Sequence, residues 1–370
     1  MPSVHVIRWI ENLKDSQHEL FWFDVLGKGK LQTIDEVQQF SDWKKRKIPY
    51  IKGEHFIKKN IPSLYEKLSF NLEVSANQEL ERIILEIQPD VIHSFEMQSC
   101  SYPILKTMNK YSKIKWIYSC WGSDLYFYQN DTKHLNKIKK VLKRVDFIHT
   151  DCQRDYQLAV KLGFKGKHLG VIPGGTGFRI DELNNLKLPV SQRKIILVKG
   201  YQHLFGRALN VVKALSEIQS DIENYQVIVF GAHKEVIDFI HRNELPFEVF
   251  DRNELGHQQI LELMGKAIIA IGNSISDGMS NTLLEAIVMG AFPIQSNPGG
   301  VSAEIITNNE NGFLIENTED TNEIAVLILK ALNDFELLQG ANHKNSILAE
   351  QRLEYDFNKN KIINLYASIL

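Results

Sequence analysis

The chain predicts an α/β fold built from two doubly wound domains, each a parallel sheet between layers of helices. Two patterns carry this expectation. Short apolar runs alternate with amphipathic helical stretches along most of the length, and a glycine-rich break near the middle interrupts the alternation before it starts afresh. In the first half, residues 4–7 and 19–25 read as strands and 78–87 as a helix that ends before Pro89. Short strands follow at 91–93, 114–119 and 145–149. Alternation of this kind implies a parallel sheet buried on both faces. Residues 27–77 are less regular and read as an excursion toward solvent. Strand character at 167–172 gives way to Gly174, Gly175 and Gly177, a composition suited to a hinge beside a crevice. Strands are then expected at 194–200, 226–230, 247–250 and 267–271, and a terminal helix at 355–370. The expected domains are therefore 1–173 and 174–350, with 351–370 as a separate helical segment.

Composition supports this reading. At 370 residues with 44% hydrophobic content, the chain can build two ordinary cores. No apolar run approaches the ~18 residues of a membrane-spanning helix. The opening residues run straight into apolar sequence without the charged and apolar regions of a signal peptide. Three cysteines, Cys100, Cys120 and Cys152, without a Cys-x-x-Cys pair, fit thiols packed in a reducing compartment. A cytoplasmic location is expected.

The net charge of -2 hides an asymmetry. Residues 1–173 hold 27 Lys and Arg against 20 Asp and Glu, and the remainder holds 16 against 25. The positive charge concentrates in two places. One is Trp43 to Tyr50, continuing through Lys52, Phe56, Lys58 and Lys59. The other is Lys133 to Arg144, where Leu135, Ile138, Leu142 and Val145 share one helical face and lysines fill the other. Each alone reads as an ordinary solvated face. Together, with aromatics interleaved, they suit a protein that rests on an anionic membrane surface, here the inner face of the plasma membrane. Nucleic acid is not expected as a partner, since the overall balance is slightly acidic and no recognition motif occurs.

The most informative stretch is Ser276-Asp277-Gly278-Met279-Ser280-Asn281-Thr282-Leu283-Leu284-Glu285. An acidic residue sits in a glycine loop, and a second carboxylate follows eight positions later in a very apolar helix that stops at Gly290. A carboxylate among Leu, Ala, Ile and Val needs polar partners: a neighbouring cation, backbone amides, or the hydroxyls of a ligand. The loop also aims a helix N-terminus outward, which favours an anion. Gly290-Ala291-Phe292-Pro293, Gly299-Gly300-Val301-Ser302-Ala303-Glu304 and Asn311-Gly312-Phe313-Leu314-Ile315 follow in one register. These pieces together resemble the C-terminal signature of retaining glycosyltransferases with the GT-B fold, the family 4-like enzymes called group 1. Asp277 stands where that family usually has Glu, one methylene shorter.

The resemblance implies two Rossmann-like domains facing across a cleft, with the terminal helix crossing back onto the first. It also implies transfer of a hexose or N-acetylhexosamine from a nucleotide sugar to a surface glycan, the acceptor being free or lipid-linked, with UDP-sugar the first donor expected and GDP-sugar the second. Departure of a diphosphate calls for cations or fixed dipoles. Lys199 and Arg207, in Lys199-Gly200-Tyr201-Gln202-His203-Leu204-Phe205-Gly206-Arg207, would supply the cations with a spacing shifted from the family's. Glu285 would take the ribose hydroxyls. Asp277, Gly278, Met279, Ser280, Asn281 and Thr282 would hold the donor sugar and phosphates, and the base would lie near Asp251 and Arg252. Trp121-Gly122-Ser123-Asp124 resembles the acceptor-side loop, with Asp124 either touching the reacting centre or capping a helix. His93 reads first as a core histidine, and Arg8 as a group near the first strand's end that could meet an anionic acceptor. The family's glycine-rich first loop is missing.

No Asp-x-Asp occurs and no His pair has metal-ligand spacing, so neither a metal nor any other cofactor is expected. Two other classes fit the same residues: a sugar-nucleotide epimerase of similar fold, and a degenerate transferase kept as a partner or scaffold.

Overall fold

The computed structural model describes residues 4–173 and 177–369. Twelve strands are defined among them. In the first part these are β1 (Phe21–Phe23), β2 (Gln38–Phe40), β3 (Val91–Phe95), β4 (Lys115–Cys120), β5 (Phe147–Thr150) and β6 (Lys167–Val171). The rest are β7 (Ile195–Lys199), β8 (Gln226–Ala232), β9 (Glu248–Asp251), β10 (Ala267–Gly272), β11 (Phe292–Ser296) and β12 (Phe313–Ile315). They form three sheets, ordered β1-β2, β3-β4-β5-β6 and β12-β11-β10-β7-β8-β9, and every pairing within them is parallel. The architecture is therefore α/β with parallel sheets, as the alternation implies.

The six-stranded sheet forms the second lobe. Its central strands read as unbroken apolar runs because both faces are covered: β10 is buried at all six positions. On one face Val211, Val212 and Leu215 of the helix Ala208–Glu217 pack with Ile324 and Ile328 of the helix Thr321–Leu332. On the other, Leu261 and Met264 meet Ala286 and Met289 from the helix Asn281–Met289. Gly290 ends that helix at φ 77°, a left-handed position that a side chain would strain.

In the first lobe the four-stranded sheet is covered on one face by the helices Ala76–Ile87 and Thr132–Arg144, whose Leu80, Ile84, Ile138, Val141 and Leu142 meet Trp116, Tyr118 and Ile148. Its other face carries the helices Val4–Leu13 and Tyr355–Ala367, through Trp9, Leu13, Ile362 and Leu365 against Ile117. The last helix of the chain thus packs on the first lobe.

Two sequence expectations change. Residues 4–7, expected as a strand, begin the helix Val4–Leu13, so Arg8 lies on a helix rather than at a strand's end. The β-branched start suggested a strand, but Val6, Trp9, Ile10 and Leu13 recur at helical spacing and form one apolar face. The strand character expected at 167–172 is β6, and of the glycine stretch expected as a hinge Gly174, Gly175 and Thr176 lie outside the described residues. Within 27–77, the short strand β2 and the helices Glu54–Asn60 and Pro62–Leu72 leave Tyr50 78% and Phe56 65% exposed.

Ile362 is fully buried between the last helix and the sheet. Ile362→Ala is expected to lower unfolding free energy by about 3 kcal/mol, measured as a shift in urea midpoint with unchanged m-value.

Candidate functional site

The lobes meet across a cleft of about 270 Å³ at the carboxyl ends of β4, β5 and β7. An adjoining hollow of about 160 Å³ shares Lys199, Tyr201 and Asp277 with it. Two loops close on each other here. A Cβ on Gly122, which has φ 89°, would lie 2.1 Å from the Gly278 nitrogen, and one on Gly278 would lie 2.5 Å from Asp151 Oδ2. Only glycine permits this approach of backbone to backbone.

Side chains fasten the same contact. Arg154 donates to the carbonyl oxygens of Asp277 (2.7 Å) and Pro298 (2.6 Å) in the second lobe while pairing with its neighbour Asp155. In return, the Glu304 carboxylate accepts from the amides of Gln153 (2.7 Å) and Arg154 (2.8 Å), capping the helix Gln153–Lys161 from across the cleft.

From the second lobe, the helix Asn281–Met289 points its N-terminus into the cleft. Ser280 sits at its cap in extended conformation, yet makes no side-chain cap bond, and its buried Oγ has no partner. Asn281 and Thr282 line the cleft beside it. The first-turn amides and the dipole of this helix make a seat for an anion. Lys199, at the end of β7, lines the same cleft, its Nζ 4.7 Å from the Tyr201 ring centre. The Asp277 Oδ1 accepts from the next amide, that of Gly278, at 3.0 Å.

From the first lobe comes a chain of hydrogen bonds. Trp9 Nε1 donates to the Tyr366 hydroxyl (2.8 Å), which lies 2.6 Å from His93 Nδ1. His93 Nε2 lies 2.7 Å from Ser119 Oγ, and that hydroxyl 3.0 Å from His149 Nδ1. Burial holds both imidazoles neutral, pushing His149 down to about 3 and His93 well below its usual value, with the neighbouring ring adding to it. The indole can only donate, and with the buried Tyr366 hydroxyl using its own hydrogen toward His93 the chain is assigned one direction. Tyr366 donates to His93 Nδ1, His93 Nε2–H donates to Ser119, and Ser119 donates to His149 Nδ1. His149 is left with its proton on Nε2, an atom that is buried, unpartnered and at the cleft wall. Asp151 Oδ1, also without a partner, lies on the same wall. Its carboxyl is pushed well above the usual range by burial, with Asp155 and Asp277 adding to this.

Several residues expected at the site sit elsewhere. Asp124 does not line the cleft. Its oxygens accept from the amides of Met97 (3.0 Å) and Trp121 (3.0 Å), the Tyr118 hydroxyl (2.5 Å) and the Cys120 thiol (3.2 Å), so its whole capacity goes to shaping its own loop. It is not a helix cap either, since Gly122 holds that position. Arg207 is turned away. Its Nε pairs with Glu319 at 2.6 Å and its Nη1 donates to the Gly206 carbonyl at 2.9 Å. Glu285 is buried and meets His257 Nε2 at 2.7 Å, on the helix face it shares with Asn281 four residues earlier. Asp251 accepts from the Asn253 amide (2.7 Å), and Arg252 lies over the Tyr201 ring at 5.6 Å, at the rim of the smaller hollow. His93 is a fully partnered core histidine.

Sequence reading missed Trp9, His149, Asp151, Tyr201 and His203 on these walls. Most of them lie at or just past the ends of β5 and β7, the position where α/β folds place ligands, and that was the one available signal. Among the described residues, one cluster has metal-ligand spacing: Asp151, Cys152 and Asp155. Arg154 already supplies its positive charge, and the Cys152 thiol donates to Asp155 at 3.1 Å.

Comparison with known proteins gives the same picture. Residues 182–345 match the family model for glycosyl transferases group 1, and residues 1–151 match that for glycosyl transferase 4-like proteins. No curated protein matches the chain. Among solved structures, Anabaena HepE in complex with UDP and glucose aligns over 100% of this chain and 97% of its own, at 15% identity and a TM-score of 0.69. A glycosyltransferase from Rickettsia africae aligns over 99% and 93%, at 16% identity and a TM-score of 0.64. Sucrose-phosphate synthase from Thermosynechococcus elongatus aligns over 82% and 79%, at 16% identity and a TM-score of 0.63.

Burial, with Glu96 adding to it, pushes the Asp124 carboxyl up to about 7. A raised carboxyl favours the protonated fold, so its contribution is complete below the ordinary aspartate value of about 4 and fades as pH rises through about 7. Asp124→Asn is expected to flatten the pH dependence of the urea midpoint across that window, whatever its effect on absolute stability.

Proposed function

Since the chain belongs to the glycosyltransferase 4-like, group 1 family with the GT-B fold, we propose that it transfers a hexose or N-acetylhexosamine from a UDP-sugar, with retention, to a surface-glycan acceptor. One observation carries the donor assignment: Lys199 and the uncapped N-terminus of the helix Asn281–Met289 face the same cleft. That pairing suits a diphosphate whose charge grows as it leaves. Solved neighbours that hold UDP support the choice of nucleotide.

In this reading the diphosphate lies between Lys199 and the amides that follow Ser280. Glu285 accepts from the ribose hydroxyls once His257, which is half-exposed, swings aside. Asp277 holds the donor sugar. The acceptor hydroxyl approaches from the first lobe, receiving a hydrogen bond from His149 Nε2–H and donating to Asp151 Oδ1. The bond from the acceptor oxygen to the anomeric carbon forms on the face from which the diphosphate leaves. The bond to the phosphate oxygen breaks, and the acceptor's proton passes to that oxygen. Charge is balanced by Lys199 and the helix dipole, so catalysis is proposed to need no divalent metal. Asp124 and Arg207 act by holding loops, not by touching substrate. The donor-binding role is assigned to 174–350 and the acceptor-binding role to 1–173.

The acceptor is proposed to be lipid-linked, reached from an anionic membrane. Tyr50, Ile51 and Phe56 stand exposed among Lys45, Lys47, Lys52, Lys58 and Lys59, a mixture of apolar anchors and cations suited to such a surface. No described helix is long and apolar enough to cross a membrane.

Calorimetric titration of UDP and GDP in the presence of EDTA tests the donor site. UDP is expected to bind the wild type, and Glu285→Ala to weaken it by roughly 10- to 100-fold. Lys199→Ala is expected to lower kcat by about 10²–10³ while the fold is retained. Binding of neither nucleotide by the wild type would overturn the reading in favour of a scaffold. In vesicle sedimentation, the double change Tyr50→Ser and Phe56→Ser is expected to release the protein from vesicles rich in anionic lipid and to leave UDP binding unchanged.

A further inference from the structure

The smaller hollow beside the cleft, about 160 Å³, has a wall of a different kind from the cleft itself. Its mouth is shared, since Lys199, Tyr201 and Asp277 line both spaces. Two amides line the rest. Gln295, near the end of β11, is only 6% exposed, and its side-chain amide makes no hydrogen bond to any described residue. Asn273, just past β10, is equally buried. Its Nδ2 donates to the carbonyls of Thr318 (2.9 Å) and Arg207 (3.3 Å), while its buried Oδ1 has no partner. Buried amides are nearly always paired, so two with unspent capacity at one hollow call for an occupant.

The surrounding backbone fixes both amides in place. Gly272 pairs with Gln295 across β10 and β11, and a Cβ on it would lie 2.3 Å from Gln295 Oε1. Any larger residue at 272 would displace that amide. The loop that carries Asn273 is tied down by main chain: the Arg207 amide donates to the Asn273 carbonyl (2.9 Å) and the Ile275 amide to the Phe205 carbonyl (2.9 Å). The Ser274 amide donates to Ser296 Oγ at 2.8 Å. From the first lobe, Ser123 Oγ accepts from Ser276 Oγ at 2.9 Å. The rings of Tyr201, His203 and Phe205 complete the lining, with His203 centred 5.8 Å from Tyr201 and 5.7 Å from Phe205.

We propose that Gln295 and Asn273 select the transferred sugar: the hollow receives the far side of a neutral hexose ring, and these two amides read its hydroxyls. The inference rests on the UDP-sugar reading above and adds the residues that choose the sugar. The chemistry of the wall supports it. A sugar hydroxyl both donates and accepts, so one ring can give hydrogens to Asn273 Oδ1 and Gln295 Oε1 and accept from Gln295 Nε2. An anionic group has no hydrogen for Asn273 Oδ1, and an apolar group leaves every atom unpaired. The apolar C–H face of the ring suits the aromatic part of the lining. Position agrees with chemistry. A diphosphate held at Lys199 puts the sugar next to the shared mouth, with the anomeric carbon beside Asp277 and open to the cleft where His149 and Asp151 stand. The hydroxyls remote from that carbon then point to the amides.

The test titrates UDP, UDP-glucose and its C4 epimer UDP-galactose into the wild type, Gln295→Leu and Gln295→Met, with thermal unfolding of each protein alongside. The wild type is expected to bind one UDP-hexose about 10-fold or more tighter than the other, because a site that pairs with a hydroxyl rejects the ligand that misplaces it. Both variants are expected to lose that preference and to bind the favoured UDP-hexose roughly 10- to 100-fold more weakly, with the Kd for UDP unchanged. Their Tm is expected to match or exceed that of the wild type, since each replaces an unpaired buried amide by an apolar group of similar size. Gln295→Met follows the original shape more closely and carries the test if Gln295→Leu does not fold. Equal affinity of the wild type for both epimers would overturn the proposal, the amides then holding water alone. Loss of UDP and UDP-hexose binding in equal measure, or of neither, in the variants would overturn it too. Failure of the wild type to bind UDP at all would remove the donor reading and this proposal with it, an outcome distinct from UDP binding without sugar selection.

Discussion

Everything at the cleft depends on how closely two loops approach. Gly122 and Gly278 bring backbone against backbone where no side chain fits, and that contact sets the distance between the first lobe's strand ends and the second lobe's helix N-terminus. Glycine permits the approach without holding it. The holding falls to Arg154 and Glu304, which reach in opposite directions across the same seam. Both form charge-assisted bonds to backbone groups, about twice as strong as neutral ones. Because each partner is main chain, the clasp fixes the positions of whole loops rather than of single side chains.

The cleft collects carboxylates. Asp151, Asp155 and Asp277 lie near one another, and burial pushes Asp151 well above the usual range. Such a cluster is costly unless cations or protons compensate it. Arg154 supplies the fixed compensation from within. In the proposed reading, a diphosphate is drawn to Lys199 and the uncapped turn at Ser280. In that reading the charged end of the donor faces Lys199 and the turn at Ser280, and the acceptor hydroxyl faces Asp151 and His149.

Much of this was legible in the sequence, and the rest failed for identifiable reasons. Apolar runs located β3, β4, β5, β7, β8, β9 and β10, most plainly β4, β7, β8 and β10, whose burial on both faces leaves an unbroken hydrophobic signature. The glycine loop before Glu285 marked the helix that opens on the cleft. Residues 4–7 misled because β-branching outweighed a helical period too short to register. Asp124 and Arg207 misled because sequence shows a charge without its partner. Tyr118, Cys120 and two amides absorb the first, and Glu319 the second. His149 and Asp151 were missed because one sequence cannot show that β5 ends at the same cleft as Lys199, some fifty residues later.

The last helix of the chain shows how far the site extends beyond its lining. Tyr366 does not line the cleft, yet it stands between Trp9, which can only donate, and His93, whose ring accepts at Nδ1 when the phenol donates to it. Through Ser119 that choice determines which nitrogen of His149 carries the proton at the cleft wall. Burial keeps both rings neutral, so a proton added from solvent does not scramble the order. In the proposed reading, the donor that meets the acceptor hydroxyl is set by an indole on the first helix and a phenol on the last. In that reading, packing of the terminal helix on the first lobe serves the site as well as the fold.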